Sequence, residues 1–282
     1  MGVFPVFSCD SVFRLHEGAY CFCLQIEISA GVSCVGSFPS KPFRSPETLL
    51  EKEERRRRRA EFHRQFLGPG DLAFDVGAST GNRAELFLEA GARVVCVEPM
   101  DACMEVLRDK FGGNRNVVLV QKGVDAREGE RTIFYSEEAL TTASMSRDWI
   151  EAVRGAERLR HPIFHWDLKK TVPVTTLDLL IEEFGEPRFC KIDVEGFELE
   201  ALRGLSRPVR SLSFEYTPER IGPAVECVRH LDSLGRYGFN YVEGESFLFG
   251  LDSWVGAREM ADLVATLGGR TVHGDVFAWR AG

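Results

Sequence analysis

No apolar run in this 282-residue chain approaches the ~18 residues that cross a bilayer as a helix, so no membrane partner is expected. Among the eight cysteines, at positions 9, 21, 23, 34, 96, 103, 190 and 227, there is no CxxC pair; Cys21 and Cys23 form only a CxC. Paired zinc-ligand spacing is therefore absent. Cys96 and Cys190 lie inside apolar runs, where a reduced thiol packs as a small hydrophobe, and a reducing cytoplasm is the expected location. Excess positive charge is also missing. The net charge is −8, which opposes a nucleic-acid partner, since such proteins usually carry a basic footprint. The spacing GxGxxG, which grips a dinucleotide pyrophosphate at a helix N-terminus, does not occur after the first strand. Residues 1–45 lack the basic leader and unbroken apolar core of a secretory signal, because Asp10, Arg14 and Glu17 interrupt them. They also lack any sustained period of 2 or 3.6 residues, and read as a poorly ordered N-terminal extension.

What is present is ordinary globular composition, 44% hydrophobic and 28% charged, of a length that suits one large domain over residues 46–282. Ser45 and Pro46 form a helix start. Glu51, Glu53 and Glu54 stand four residues ahead of Arg55, Arg57 and Arg58, the favourable order for helical ion pairs. The arginine run therefore reads as a solvated helix face rather than a nucleic-acid patch.

From Gly70 the chain alternates. Apolar strand runs over 71–76, 92–99 and 116–124 are interleaved with helical periods over 82–91 and 101–113. A small antiparallel excursion is expected over 124–136, around Glu128–Gly129–Glu130, and 137–171 breaks the rhythm as a long insertion. Then follow helix 177–185, strand 187–194, helix 195–205, strand 209–216, helix 218–235, and strands 236–243 and 274–280. Such alternation predicts an α/β fold with a doubly wound, mostly parallel sheet. Residues 246–272 give no clear signal.

In such sheets ligands bind beyond the carboxyl ends of the strands, so the first turn, FDVGASTGN (74–82), is the place to look. Asp75 precedes Gly77-x-x-x-Gly81. A carboxylate there is awkward beside a phosphate and favourable beside a cation. S-adenosyl-L-methionine carries an ammonium and a sulfonium and no phosphate. Glycines let backbone and ligand approach closely. Glu98, ending the second strand, can accept ribose hydroxyls, as acids at this position do in dinucleotide folds too. A second landmark is KIDVEGFELEALRG (191–204), which puts Asp193 and Glu195 over the same cleft, while Glu198 and Glu200 read as charges suited to a helix start.

VPVTTLDLLIEEFG, FCKIDVEGFELEALRG and LSFEY, with DVGASTGN and VEP before them, resemble the FkbM-type methyltransferases over roughly residues 60–245. The resemblance implies a class I S-adenosylmethionine-dependent fold, Rossmann-like, with seven strands and an antiparallel last strand. It also implies methyl transfer, usually to a hydroxyl oxygen of a small molecule or sugar. Carried over by position, Asp75, Gly77 and Gly81 line the methionine part, and Ala78 and Asn82 of the same turn are cofactor-binding. Glu98 takes the ribose, and Gly123, Val124 and Asp125 border the adenine. Asp193 and Glu195 face the transfer region. The family commonly has DVGANxG, where this chain has Ser79–Thr80, both small and hydroxylated.

An alcohol acceptor must lose a proton, and the candidate bases are Asp193, Glu195, Glu215, His165 and Lys191. Asp193 comes first, on cleft position and on the motif. His165 follows, because imidazole titrates near neutrality and the insertion can fold over the cleft. His161 and His165 are four apart, but Pro162 and the lack of a third ligand nearby argue against zinc. Asp193, Glu195 and Glu215 offer oxygen ligands of the kind Mg²⁺ takes, though no metal site is assigned. Met145, Trp149, Phe164 and Trp166 in the insertion are expected to shape the acceptor pocket. Two alternatives stand beside this reading, an S-adenosylmethionine-binding module without turnover and an NAD-dependent dehydrogenase. A nucleic-acid methylase is disfavoured by the acidic balance and by the absence of a DPPY- or NPPY-like tetrapeptide.

Overall fold

The computed structural model describes residues 49–156 and 159–280. The expected extension 1–45 and the Ser45–Pro46 helix start lie outside these residues. Leu49–His63 forms α1. Arg57 and Arg58 both pair with Glu54, at 2.8 and 3.4 Å, while Arg56 reaches Glu89 and Arg59 reaches Glu245 at 2.7 Å. Arg56, Arg57, Arg58 and Arg59 are thus laced to carboxylates, partly on their own helix and partly on the body of the fold.

The strands of the main sheet are β1 (Leu72–Val76), β2 (Arg93–Val97), β3 (Val117–Val120), β7 (Phe189–Ile192), β8 (Ser211–Tyr216), β9 (Gly238–Glu243) and β10 (Gly274–Trp279). Their order is β3-β2-β1-β7-β8-β10-β9. The first five neighbours run parallel, and β10, the last strand in the chain, lies antiparallel between β8 and β9. This is the seven-stranded, doubly wound sheet with a reversed last strand that the alternation and the family resemblance imply. The strand order turns at β1 and β7, which pair in parallel with Asp75 beside Lys191.

Both faces are covered, as the near-continuous burial of the strands requires. On one face α1, α2 (Asn82–Glu89) and α3 (Asp101–Phe111) pack Phe62, Phe87, Leu107 and Phe111 against Ala73, Cys96, Phe189 and Phe277. On the other, α5 (Leu177–Phe184), α6 (Glu198–Arg203), α7 (Gly222–Leu234) and α8 (Ala257–Thr266) cover Phe74, Ile192, Leu212, Phe214 and Phe239. The helix α8 was not legible in the sequence, yet Met260 and Val264 are fully buried in that core.

The sequence-based boundaries differ most between 116 and 175. The expected third strand divides: β3 stays in the main sheet, while Gly123–Val124 (β4) joins a second, three-stranded sheet of order β4-β6-β5. The excursion at 124–136 is antiparallel, but β5 (Gly129–Tyr135) pairs with β6 (Leu168–Thr175) across the insertion, not across Glu128–Gly129–Glu130. The insertion itself holds a 3-10 segment at Glu137–Thr142 and α4 (Arg147–Val153), capped by Ser146 accepting from the Trp149 amide. Trp149 and Trp166 meet edge to face at 5.9 Å in a core of their own.

Phe66, just past α1, is 2% exposed and packs on Phe189 (4.9 Å), Phe277 (5.4 Å) and Trp279 (5.4 Å). Phe66→Ala should cost about 3–5 kcal/mol in urea unfolding. A loss below about 1 kcal/mol would show that this aromatic stack does not anchor α1.

Candidate active site

The turn after β1 is built on glycines that no other residue replaces. Gly77 has φ +81°, and a Cβ there would stand 1.8 Å from the carbonyl oxygen of Asp193. The first turn therefore rests directly on the end of β7. Gly81, also left-handed at φ +82°, sits where a Cβ would strike Phe111 at 2.5 Å and Leu107 at 2.9 Å. Ser79 adopts φ +48°, an uncommon conformation for a side-chain-bearing residue, and its amide donates to Glu98 Oε2 at 2.9 Å.

Two adjoining cavities open from this turn, sharing Gly77, Ser79, Thr141, Asp193 and Glu195. The first is the more apolar, walled by Val97, Val124, Ile133, Leu140 and Met145, with Glu98, Lys122 and Gly123 also in its lining. The second, of about 290 Å³, is polar and is lined by Asp75, Ala78, Asn82, Arg83, Lys191, Arg59 and Glu245.

Electrostatics separate the acids. Asp75 is 1% exposed; burial pushes its carboxyl up to about 6, against the pull of Arg83 and Lys191. Its Oδ2 is buried without a hydrogen-bond partner. That orphaned acceptor beside a cavity fits a ligand's ammonium group. Glu98 is raised to about 7 by burial, although the amides of Met100 (2.8 Å) and Ser79 stabilise its charged form. Both oxygens retain lone pairs for hydroxyl donors. Glu198 is likewise lifted to about 7 by burial, while accepting from the amides of Val194 and Gly196 at 3.0 and 3.1 Å. It therefore fixes the turn after β7 rather than simply capping α6.

Lys191 is the hub. Its Nζ lies 2.7 Å from Asp275 Oδ1 and 3.1 Å from Asp193 Oδ2. Burial, which lowers its pKa, is outweighed by those two carboxylates, so Lys191 stays protonated and is no base. Burial works against the Asp275 charge, but Lys191 and Arg83 hold that carboxyl below its usual range. Glu215 is lifted well above the usual range, first by burial and then by Asp193, Glu195 and Glu198. Oxygens of Asp193, Glu195 and Glu215 all lie within 4.8 Å of one another. Glu195 is held at φ +51°, with its carbonyl accepting from Ser144 Oγ at 2.6 Å.

The structure thus brings together Asp75, Gly77, Ala78, Asn82, Glu98, Gly123, Val124, Asp193 and Glu195 around the two cavities. Gly81 shapes the turn from behind, against α3. Asp125 is turned away: it is 2% exposed and its carboxylate meets Arg131 Nε at 2.5 Å and its neighbour Ala126's amide. His165 lines neither cavity. It sits on the surface between Asp167 (2.6 Å) and Glu138 (3.1 Å), and those hydrogen bonds, Asp167's first, raise its pKa. The insertion reaches the cavities through Leu140, Thr141, Ala143 and Met145, whereas Trp149 and Trp166 are core, with indole donors to Thr217 Oγ1 and the Thr142 carbonyl. Sequence reading missed Arg59, Arg83, Glu245 and Asp275, which come from α1, α2 and the last two strand ends and meet only in the fold.

Folded Glu98 titrates near 7 and its ordinary value is 4.5. Between those values the folded state holds more of the proton, so the contribution of Glu98 to stability falls as pH rises through that window. The full shift is on the order of 3 kcal/mol. Glu98→Gln cannot titrate, and should gain stability relative to the wild type by that order between about pH 4.5 and 7.5 in urea melts at stepped pH. A constant difference across the range would contradict the burial of this charge.

A family model described as "Methyltransferase FkbM domain" matches residues 75–241. No curated relative matches the chain. Similar solved structures include a precorrin-6y C5,15-methyltransferase from Geobacter metallireducens (12% identity, TM-score 0.42, covering 85% of this chain and 95% of that one). An rRNA methylase from Streptococcus thermophilus is similar at 11% identity and TM-score 0.40, over 79% of this chain and 94% of that one. Fibrillarin from Aeropyrum pernix, with natively bound S-adenosyl-L-methionine, stands at 12% and 0.38, over 75% and 67%. The sheet order with its reversed last strand is that of the class I methyltransferase fold. With more than half of its length matched by the family model, the chain belongs to the FkbM methyltransferase-domain family.

Proposed function

We propose that this chain binds S-adenosyl-L-methionine and transfers its methyl group to a hydroxyl oxygen of a small molecule or sugar. The observation that carries this reading is the pair of cavities meeting over the Gly77–Asp193 contact, one apolar with Glu98 in its lining, the other polar with an unpartnered buried Asp75 Oδ2. Nucleoside and amino-acid halves of one ligand match that division. Glu98 would accept from the ribose hydroxyls, Gly123 and Val124 would border the base, and Asp75 would accept from the ammonium. When bound, the cofactor supplies an electrophilic methyl on a sulfonium.

Asp193 is the base in this reading. Its side chain is partly open to the cleft, and Lys191 holds it in place without competing for the proton. Burial and the neighbouring carboxylates of Asp193, Glu195 and Glu198 favour the protonated form of Glu215, in which it can donate a hydrogen bond. Positioning the acceptor against the methyl can supply much of the rate, and the base adds about 10²–10⁴-fold. The convergence of Asp193, Glu195 and Glu215 favours turnover over a module that only binds. The carboxylates around the cleft and the net charge of −8 support a small hydroxylated acceptor over a polyanion.

Calorimetric titration should give binding of S-adenosylmethionine and S-adenosylhomocysteine and none of NADH. Binding of NADH alone would overturn the cofactor. With labelled S-adenosylmethionine, label should pass to a member of a hydroxylated small-molecule and sugar panel; label in total RNA instead would overturn the acceptor class. Asp193→Asn should lower turnover at least about 100-fold while S-adenosylhomocysteine affinity changes less than about threefold. Full turnover in this variant would remove Asp193 as the base.

A further inference from the structure

Arg83 stands in the first turn of α2, with its side chain 17% exposed and lining the polar cavity beside Asp75, Ala78 and Asn82. Its guanidinium carbon lies 5.6 Å from the centre of the Phe247 ring, and the same ring carries Arg59 at 5.0 Å. The ring contact fixes the guanidinium against one wall of the cavity. Around it stand the carboxylates of Asp275, Glu245, Asp193 and Asp75. Yet the ion pair recorded for Arg83, with Glu245 Oε1, is 3.7 Å long, beyond hydrogen-bond distance. Asp275 is already engaged by Lys191 at 2.7 Å, and Asp193 by Lys191 at 3.1 Å. A planar fork of donors is thus held in the cavity without a close bidentate carboxylate, while the nearby Asp75 Oδ2 lacks a donor.

An orphaned carboxylate oxygen and a loosely engaged guanidinium beside one polar cavity complement a zwitterion. We propose that Arg83 binds the α-carboxylate of the amino-acid end of the ligand while Asp75 binds its ammonium. This rests on the cofactor reading above and goes beyond it, because it assigns a carboxylate-binding residue that no motif in the turn indicates. It also explains why an arginine occupies this cavity wall when Asp275 has Lys191 as its own counter-ion.

The test uses two ligands that differ only in that carboxylate, S-adenosylmethionine and decarboxylated S-adenosylmethionine, with dissociation constants measured by calorimetry. The wild type should prefer the carboxylated ligand by about tenfold to a hundredfold, the range of one charge-assisted interaction. Arg83→Met should abolish that preference by weakening S-adenosylmethionine alone, leaving the decarboxylated ligand within about threefold of its wild-type value. Arg83→Lys keeps the charge and most of the stem but not the fork, and should retain an intermediate preference; it also serves if the Met variant is too unstable to measure. The assignment is overturned if the wild type binds the two ligands equally, or if Arg83→Met weakens both by the same factor, which is the result for a residue that is merely a counter-ion to Asp75. Binding of neither ligand by the wild type would instead remove the cofactor reading, and this assignment with it.

Discussion

The contact between the turn after β1 and the end of β7 governs the site. Gly77 lies so close to the Asp193 carbonyl that even a methyl group would be driven into it at 1.8 Å, and the backbone there is left-handed. A glycine meets both conditions without strain. Because the two strands are neighbours in a parallel sheet, with Val76 beside Ile192, the turn and the KIDVEG segment are carried to the same edge. Every cavity-lining acid of the proposed chemistry hangs from one of the segments that meet there or from β2 beside them. Moving the turn outward to fit a larger residue would separate Asp75 from Asp193 and open the floor shared by the two cavities.

Above that floor, charge is concentrated where water is scarce. Lys191, 2% exposed, joins Asp193 from its own strand end to Asp275 from the last strand. Removing one member of such a cluster leaves an uncompensated buried charge, which commonly costs 3–5 kcal/mol. The cluster therefore ties the antiparallel end of the sheet to the cleft, and gives the reversed strand β10 a part in the site. Burial also holds Asp75 near 6 and Glu98 near 7, so both acids lie close to their ionisation points around neutral pH. Cations or hydroxyls arriving at these carboxylates stabilise the charged form, which links ligand binding to proton release.

Local signals carried the sequence reading far. Strand β1 and its turn were visible as an apolar run broken by glycines, and the KIDVEG block marked β7 with its two acids. The family match and the reversed final strand agree with what those segments implied. Where pairing is non-local, the sequence was silent. Nothing in residues 129–135 announces a partner in 168–175, so the second sheet and the displacement of Gly123–Val124 into it were not legible. The resemblance implies Asp125 as a neighbour of the adenine, but its carboxylate is engaged by Arg131 and it lines neither cavity. His165 looked chemically apt and is fixed by acids at the surface. Arg83, Glu245 and Asp275 are far apart in sequence, and only the tertiary fold brings them together.

A crystal structure of the chain with S-adenosylhomocysteine tests the central reading most directly. The expected result is adenosine in the apolar cavity with ribose hydroxyls on Glu98, and the amino-acid end in the polar cavity at Asp75. A ligand lying elsewhere, or with its ribose away from Glu98, would contradict the division of the cleft on which the functional reading stands.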